Sequence, residues 1–421
     1  MPEPPSFGLS PAQTLAHVAS GYPTPGFARV WRQWWSDIAH RGAWFVEGRE
    51  AARFRSPAAA GAEGVTDVVE TIDGARIGAR LVFSPDARPD RGDSTSAAST
   101  AATAAASTAA TATDPALVCV QLHGYAVEPG APLTDDLPKP LDLDGPRETP
   151  PPTDPAVGTR AAPAAPVGLA VLKLRLRGYP GSQADAGELT RRPPGYAAHA
   201  VHDEHHWPVT LAVRDVVSAL LACRRRWPRA RLAMWGESFG GGLAAIAAGV
   251  LALAPDEAAP RLDRLVLALP TLGDWSWRLD HPATGGLGAE IAAFLDKHPA
   301  ARAAAIRNLV NHDATYHARR IHCPVLCKLA AADGVVPAPA AAAVFNALGA
   351  GPGDKQRLVT RFGHYAPSPD ADAAERTAAF ADARRHVLFD RAALAFLDPA
   401  REPRDALHRL NALFHREQPI A

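Results

Sequence analysis

The chain has 421 residues, 47% of them hydrophobic, with 44 Lys and Arg balanced by 44 Asp and Glu. A chain this long buries a large core, and although length alone suggests two or three domains, α/β folds often carry additions on a single one. Balanced charge without a basic run argues against nucleic acid or an anionic membrane as partner, and no apolar stretch reaches membrane-spanning length. Residues 1–5 lack the basic start and apolar core of a signal peptide, so a soluble, cytoplasmic protein is expected. Cys119, Cys223, Cys323 and Cys327 sit in apolar runs, as small buried hydrophobes do.

From the start of the chain, Phe27, Val30, Trp31, Trp34, Trp35 and Ile38 fall at helical spacing, which predicts one amphipathic helix packed on the body of the protein. Core packing is preferred for this aromatic stripe over binding of sugar rings. Residues 65–72 and 75–83 are strand-like and joined by Asp73-Gly74, a strong hairpin signal. From about 86 to 114 the chain turns to Ser, Thr and Ala, which cannot offset their ordering entropy by burial, and a disordered insertion is expected. Residues 117–125 resume as a buried strand ending at His123-Gly124-Tyr125, and a second insertion, rich in Pro and Asp, spans about 126–166.

Residues 168–176 form the next strand, and Pro208 opens a helix that Trp227-Pro228 stops. Residues 231–248 then carry Gly236-Glu237-Ser238-Phe239-Gly240, a match to G-x-S-x-G with an apolar run before it and an Ala-rich helical stretch after it. That is the strand, sharp turn and helix of a nucleophile elbow, with Ser238 at its tip and small residues flanking it so that strand and helix pass close together. Further strands are predicted at 262–269, 321–330 and 356–363. Strands alternating with helices make a mainly parallel sheet covered on both faces, whose ligands bind at the carboxyl ends of the strands.

Two of those ends carry the remaining chemistry. One strand leads to Asp333-Gly334 and another to Gly363-His364, so an acid and an imidazole arrive on the edge that holds Ser238. The order Ser, Asp, His is that of an α/β-hydrolase triad. A serine hydroxyl is a weak nucleophile at neutral pH; His364 would take its proton, and Asp333 would hold the imidazole and stabilise its cation. The main-chain N–H groups of Phe239 and Tyr125 are placed to form the oxyanion hole.

With these motifs in place, the chain resembles the acetyl xylan esterase and cephalosporin C deacetylase family of α/β-hydrolases, carbohydrate esterase family seven. The similarity runs through the Trp-rich helix, Asp73-Gly74-Ala75-Arg76-Ile77, His123-Gly124-Tyr125, Arg177-Gly178, the elbow, Asp313-Ala314, residues 321–326, Asp333 and Gly363-His364. It implies one α/β-hydrolase domain over 1–421, with an N-terminal extension over 1–64. Ser238, Asp333 and His364 would be its triad, and Tyr125 and Phe239 its oxyanion donors. The implied reaction is deacetylation of small or oligomeric carbohydrates and cephalosporins, often by a homohexamer; apart from the resemblance, no cofactor is expected, since acid, base and oxyanion donors are all supplied by protein. The sequence departs from the family at Tyr179, where R-G-Q is expected, at Phe239 in place of the Gln of G-x-S-Q-G, and at Tyr365 in place of the Glu of H-E. Arg177 is read as structural, holding neighbouring loops by ion pairs.

Two other clusters are weighed. His199, His202, His205 and His206 with Asp203 and Glu204 suggest a metal, but the spacing is neither H-E-x-x-H nor its inverse, and a polar loop is preferred. Cys323 and Cys327 on one strand are about 13 Å apart, too far for a metal pair. No metal is expected. Trp275 and Trp277, just past a strand end, are candidate walls of the acyl or leaving-group pocket, with plain core packing as the alternative; as walls, with Phe239 and Tyr125, they would crowd the acyl group and favour short chains. The expected function is a serine carboxylesterase for short acyl esters, with acetylated carbohydrates as substrates. Alternatives are a peptidase or dienelactone-type hydrolase, or a hydrolase-fold binding module without turnover. No propeller-like repeat precedes the core, which weighs against an oligopeptidase.

Overall fold

A computed structural model describes residues 7–39, 41–47, 66–83, 114–125, 136–143, 168–179, 181–182, 195–255, 259–364 and 372–417. The expected insertion at 86–114, apart from its last residue, lies outside these, as do residues 126–135 and 144–166 of the second one, and Tyr365.

Nine strands form one sheet: β1 (Trp44–Phe45), β2 (Asp67–Glu70), β3 (Arg76–Phe83), β4 (Leu117–Leu122), β5 (Leu169–Leu174), β6 (Arg231–Glu237), β7 (Leu262–Ala268), β8 (Val325–Ala332) and β9 (Lys355–Phe362), in the order β1-β2-β3-β5-β4-β6-β7-β8-β9. From β5 to β9 every pairing is parallel, while β1, β2 and β3 join antiparallel. Asp73-Gly74 does turn the β2–β3 hairpin, with Val69 opposite Ile77 and Gly74 at φ 82°.

The helices are α1 (Pro11–Ala16), α2 (Phe27–Ala39), α3 (Pro208–Arg226), α4 (Phe239–Leu253), α5 (Trp275–Asp280), α6 (Gly286–Lys297), α7 (Arg302–Asn311), α8 (Ala314–Ala318), α9 (Ala338–Ala347), α10 (Ala373–Phe396) and α11 (Pro403–Glu417). Side chains alternate across the central strands and so feed two cores. Val118, Val120, Leu232, Met234, Leu265 and Leu267 face α2, α3 and α4. Cys119, Ala233, Trp235, Val266 and Leu326 face Phe389, Phe396, Leu407 and Leu410 of α10 and α11. Burial on both faces is why these strands read as continuous apolar runs. Among the described residues, no helix is long and apolar enough to cross a membrane.

The Trp-rich helix forms with Phe27, Trp31 and Trp35 buried, and the Trp31 indole donates to the Asn311 carbonyl at 2.9 Å. Val30, expected on the buried stripe, is 39% exposed instead, because α2 packs through the narrower row of Phe27, Trp31 and Trp35. Part of the second insertion is docked on the protein: Leu137, Leu141 and Leu143 pack against the α10–α11 core, and the Leu141 N–H donates to the Arg391 carbonyl at 3.1 Å.

Arg177 links three parts of the fold. Its guanidinium donates to Asp73 in the hairpin turn at 2.8 and 3.0 Å and, through Nε, to Asp215 of α3 at 2.8 Å. The Arg177 N–H donates to Asp215 as well, at 3.0 Å. Arg177 is therefore structural, as the sequence suggests.

Candidate active site

The elbow forms as its glycines require. Ser238 stands between β6 and α4 with φ 54° and ψ −111°, a conformation that L-residues adopt only when their surroundings impose it. Three backbone hydrogen bonds do so: Ser238 N–H to Ala268 O at 2.7 Å, and the N–H groups of Gly242 and Thr271 to Ser238 O at 3.1 and 3.2 Å. A Cβ on Gly240 would lie 2.6 Å from the Leu122 carbonyl, and one on Gly236 would strike the Gly240 carbonyl. Helix, strand and the end of β4 therefore meet only because both positions are glycine.

Strands β8 and β9 end on the same edge of the parallel sheet as β6. There His364 Nδ1 is 2.7 Å from Asp333 Oδ2, and the His364 N–H donates to the same oxygen at 3.2 Å. Asp333 Oδ1 accepts from the N–H groups of Val335 and Val336 at 2.9 and 3.0 Å, so the carboxylate is fully engaged and 1% exposed. Burial of the imidazole favours its neutral form, but the hydrogen bond and charge of Asp333, backed by the charge of Glu237, outweigh it and raise the ring above its ordinary value of 6.5. The ring stays partly open to solvent.

On the other side of Ser238, Gly124 is close enough that a Cβ there would be 3.8 Å from Ser238 Cβ, which brings the start of the loop after β4 beside this serine. Hydrogen bonds on both sides fix that loop. Tyr179 donates its hydroxyl to the Tyr125 carbonyl at 2.9 Å, while the Tyr125 hydroxyl donates to Glu290 at 2.5 Å and accepts from the Ala197 N–H at 2.9 Å. His123 Nε2 accepts from the Leu176 N–H at 3.3 Å, so Nδ1 carries the proton and donates to the Gly124 carbonyl at 2.7 Å. Burial holds this imidazole neutral, pushed down to about 4. The Phe239 N–H, in the first turn of α4, has no intrahelical acceptor.

Two expectations about the pocket are corrected here. Phe239 is fully buried, its ring edge-on to Tyr125 at 5.5 Å and to Tyr196 at 5.9 Å, so it supports the loop from beneath instead of lining an acyl pocket. Trp275 is 1% exposed and carries Arg278 over its ring at 4.6 Å; it belongs to the core. Trp277 is half-buried and stacks on His281 at 4.1 Å, beside His17 and Phe7. Residues 196–206 form turns, with His206 on Asp203 at 2.7 Å at the surface, and among the described residues no group of three His, Cys, Asp or Glu could hold a metal ion.

Glu290, Tyr196, Lys328 and His386 are brought to this region without a local motif. Only the lone lysine in an otherwise apolar strand is visible beforehand, because the partners of all four are distant in sequence.

A family model described as acetyl xylan esterase matches residues 163–371. No curated protein matches the sequence. Among solved structures, the chain is similar to an acetyl xylan esterase from Paenibacillus sp. R4, with a TM-score of 0.54 and 19% identity over 88% of this chain and 98% of that one. It is also similar to acetyl xylan esterase 1 from Thermoanaerobacterium sp. JW/SL YS485, with a TM-score of 0.53 and 16% identity over 90% and 98% of the two chains. At such identities the likeness shows a shared fold, the α/β-hydrolase fold.

Proposed function

We propose that this chain, a carboxylic ester hydrolase whose residues 163–371 match a family model described as acetyl xylan esterase, removes short acyl groups, acetyl foremost, from carbohydrate or other small alcohols through Ser238, His364 and Asp333. The observation that carries this is the strained Ser238 on the sheet edge where Asp333 holds His364 at 2.7 Å.

Ser238 Oγ attacks the acyl carbon while His364 Nε2 takes its proton. The Asp333 carboxylate fixes Nδ1–H and balances the imidazolium that forms. Negative charge developing on the acyl oxygen is met by the N–H groups of Phe239 and Tyr125, and the second donor is held in place by the bonds that Tyr179, Ala197 and Glu290 make to Tyr125. His364 then protonates the departing alkoxide, leaving an ester on Ser238. A water molecule, deprotonated by His364, attacks that ester; the acyl–Oγ bond breaks as His364 returns the proton to Ser238 Oγ, and the acid is released.

His364 must be neutral to act, and its proton affinity is raised. Activity should therefore be lost as pH falls, with the acid limb of kcat/KM centred above the free imidazole value of 6.5. A limb centred well below that value would mean another base.

Acyl-chain preference tests the substrate class. The match to a family model described as acetyl xylan esterase is what supports a short acyl group. With p-nitrophenyl esters of two to eight acyl carbons, acetylated xylooligosaccharides and a matched amide, kcat/KM is expected to be highest for the two- to four-carbon esters and for acetylated sugar. An eight-carbon optimum would overturn the acyl assignment, and amide hydrolysis at comparable rates would favour a peptidase.

A further inference from the structure

Strand pairing puts Glu237, Ala268 and Lys328 in one lateral row across β6, β7 and β8, with Leu358 of β9 next in line. The row faces the α10–α11 core, where Trp235, Leu326 and Leu358 also point, and it directly precedes the catalytic edge, since Ser238 follows Glu237 in the chain. Glu237 and Lys328 are two strands apart, about 10 Å at ordinary strand spacing. Between them Ala268 offers only a methyl group, which leaves a path for the long lysine side chain. Lys328 takes it: the residue is 1% exposed, and Nζ lies 3.3 Å from Glu237 Oε1 and 3.0 Å from His386 Nδ1.

An ammonium has donors only, so His386 Nδ1 is the acceptor and Nε2 carries the proton, donating to the Phe362 carbonyl at 3.2 Å. The same helix fixes β9 a second time, because Asp382 accepts from the N–H groups of Arg361 and Phe362 at 2.7 Å each. A continuous chain of hydrogen bonds thus runs from the residue before Ser238, through Lys328 of β8, to a point two residues before His364. Burying a lysine is costly unless its charge and hydrogen bonds are met. Here they are met by the two groups that tie together the strands bearing the three reactive side chains.

We propose that Lys328 is a positioning residue, which holds the end of β6 that carries Ser238 in register with the end of β9 that carries His364 by bridging Glu237 and His386. This rests on the Ser238, His364 and Asp333 reading given above. The charged and titratable groups facing the ammonium are Glu237 of β6, His386 and Asp390 of α10, and His364 past the end of β9, while Asp382 of α10 lies 3.9 Å from His386 and Asp333 pairs with His364. Phe389 lies beneath it at 5.3 Å. The lysine charge also lowers the proton affinity of His364, whereas Glu237 raises it, so the bridge keeps the carboxylate's pull on the base in check.

Lys328→Met keeps the volume of the side chain and removes the bridge. The acid limb of kcat/KM for p-nitrophenyl acetate should then move up, because Glu237 acts on His364 unopposed. On the plateau kcat should fall about tenfold or more with KM little changed, the pattern of a displaced reactive pair. Lys328→Arg should hold the limb at its wild-type position. Should Lys328→Met fail to fold, Glu237→Gln serves instead, and its limb should move down, since it removes a charge that raises His364. A folded Lys328→Met with wild-type limb and plateau, or a Glu237→Gln with an unmoved limb, would overturn the proposal. Titration of the His364 ring by NMR in wild type and Lys328→Met separates this from failure of the triad. A Ser238→Ala protein that still turns over would refute the triad, while an unchanged ring titration in Lys328→Met would refute the role of Lys328.

Discussion

Replacing Ser238 by alanine is expected to lower kcat for p-nitrophenyl acetate by about 10⁴ to 10⁶ while leaving the protein folded. The hydroxyl is the only group removed. The backbone bonds that impose φ 54° on this residue, to Ala268 and from Gly242 and Thr271, do not involve it, and alanine meets the same left-handed strain that serine already bears. A melting temperature close to wild type together with lost turnover is therefore the expected pair of results, and wild-type turnover in the purified variant would remove Ser238 from the chemistry. Some acceleration over water should survive, because the N–H groups of Phe239 and Tyr125 do not depend on the serine hydroxyl.

The largest expected effect on stability is at Arg177. Arg177→Met should cost about 3–5 kcal/mol at neutral pH, read by chemical denaturation, since it strands the fully buried Asp215 carboxylate and releases the hairpin turn at Asp73. Arg214 still reaches Asp73 at 3.1 Å, so that carboxylate keeps one partner, whereas Asp215 loses its guanidinium. The pH dependence follows from Asp73. Burial alone would raise its proton affinity, but the hydrogen bonds and charge of Arg177 overcome this and hold the carboxyl well below the ordinary carboxylate range. A depressed carboxylate stabilises the fold above its unfolded value, near 3.8, and that contribution is lost as pH falls toward the folded one. The gap between wild type and Arg177→Met should therefore narrow on acidification. A gap that widened as pH fell would mean that the Arg177 to Asp73 contact does not supply it.

Strand ends and glycines made most of the candidate site legible in the sequence. Gly236 and Gly240 mark a close approach that no other residue permits, and Asp333 and His364 follow apolar runs whose length and order already imply one parallel sheet. What could not be read was the direction of large side chains. Phe239 adjoins Ser238 in sequence, yet the first turn of α4 aims its ring into the core against Tyr125 and Tyr196, and Trp275 likewise turns inward beneath Arg278. Adjacency along a chain does not say which face of a helix meets solvent.

Long-range partners were equally hidden. Tyr179 stands out as a departure from the family pattern, but its bond to the Tyr125 carbonyl depends on two loops meeting above the sheet. Lys328 is visible as one charge in an apolar strand, and only the fold supplies Glu237 and His386. Helices α10 and α11 escaped a reading based on strand ends, because their buried residues, Phe389, Phe396, Leu407 and Leu410, are diluted among alanines and arginines. The three leucines of the second insertion that dock on them are separated by Pro, Lys and Asp and show no helical or strand period.

Trapping the acyl-enzyme tests the central claim most directly. Wild-type protein mixed with excess p-nitrophenyl acetate and quenched in acid during turnover should carry one acetyl group, which peptide mapping by mass spectrometry places on Ser238. His364→Ala, lacking the base, should not accumulate it. Turnover of the ester with Ser238 unmodified, or with the acetyl group on another residue, would contradict the account.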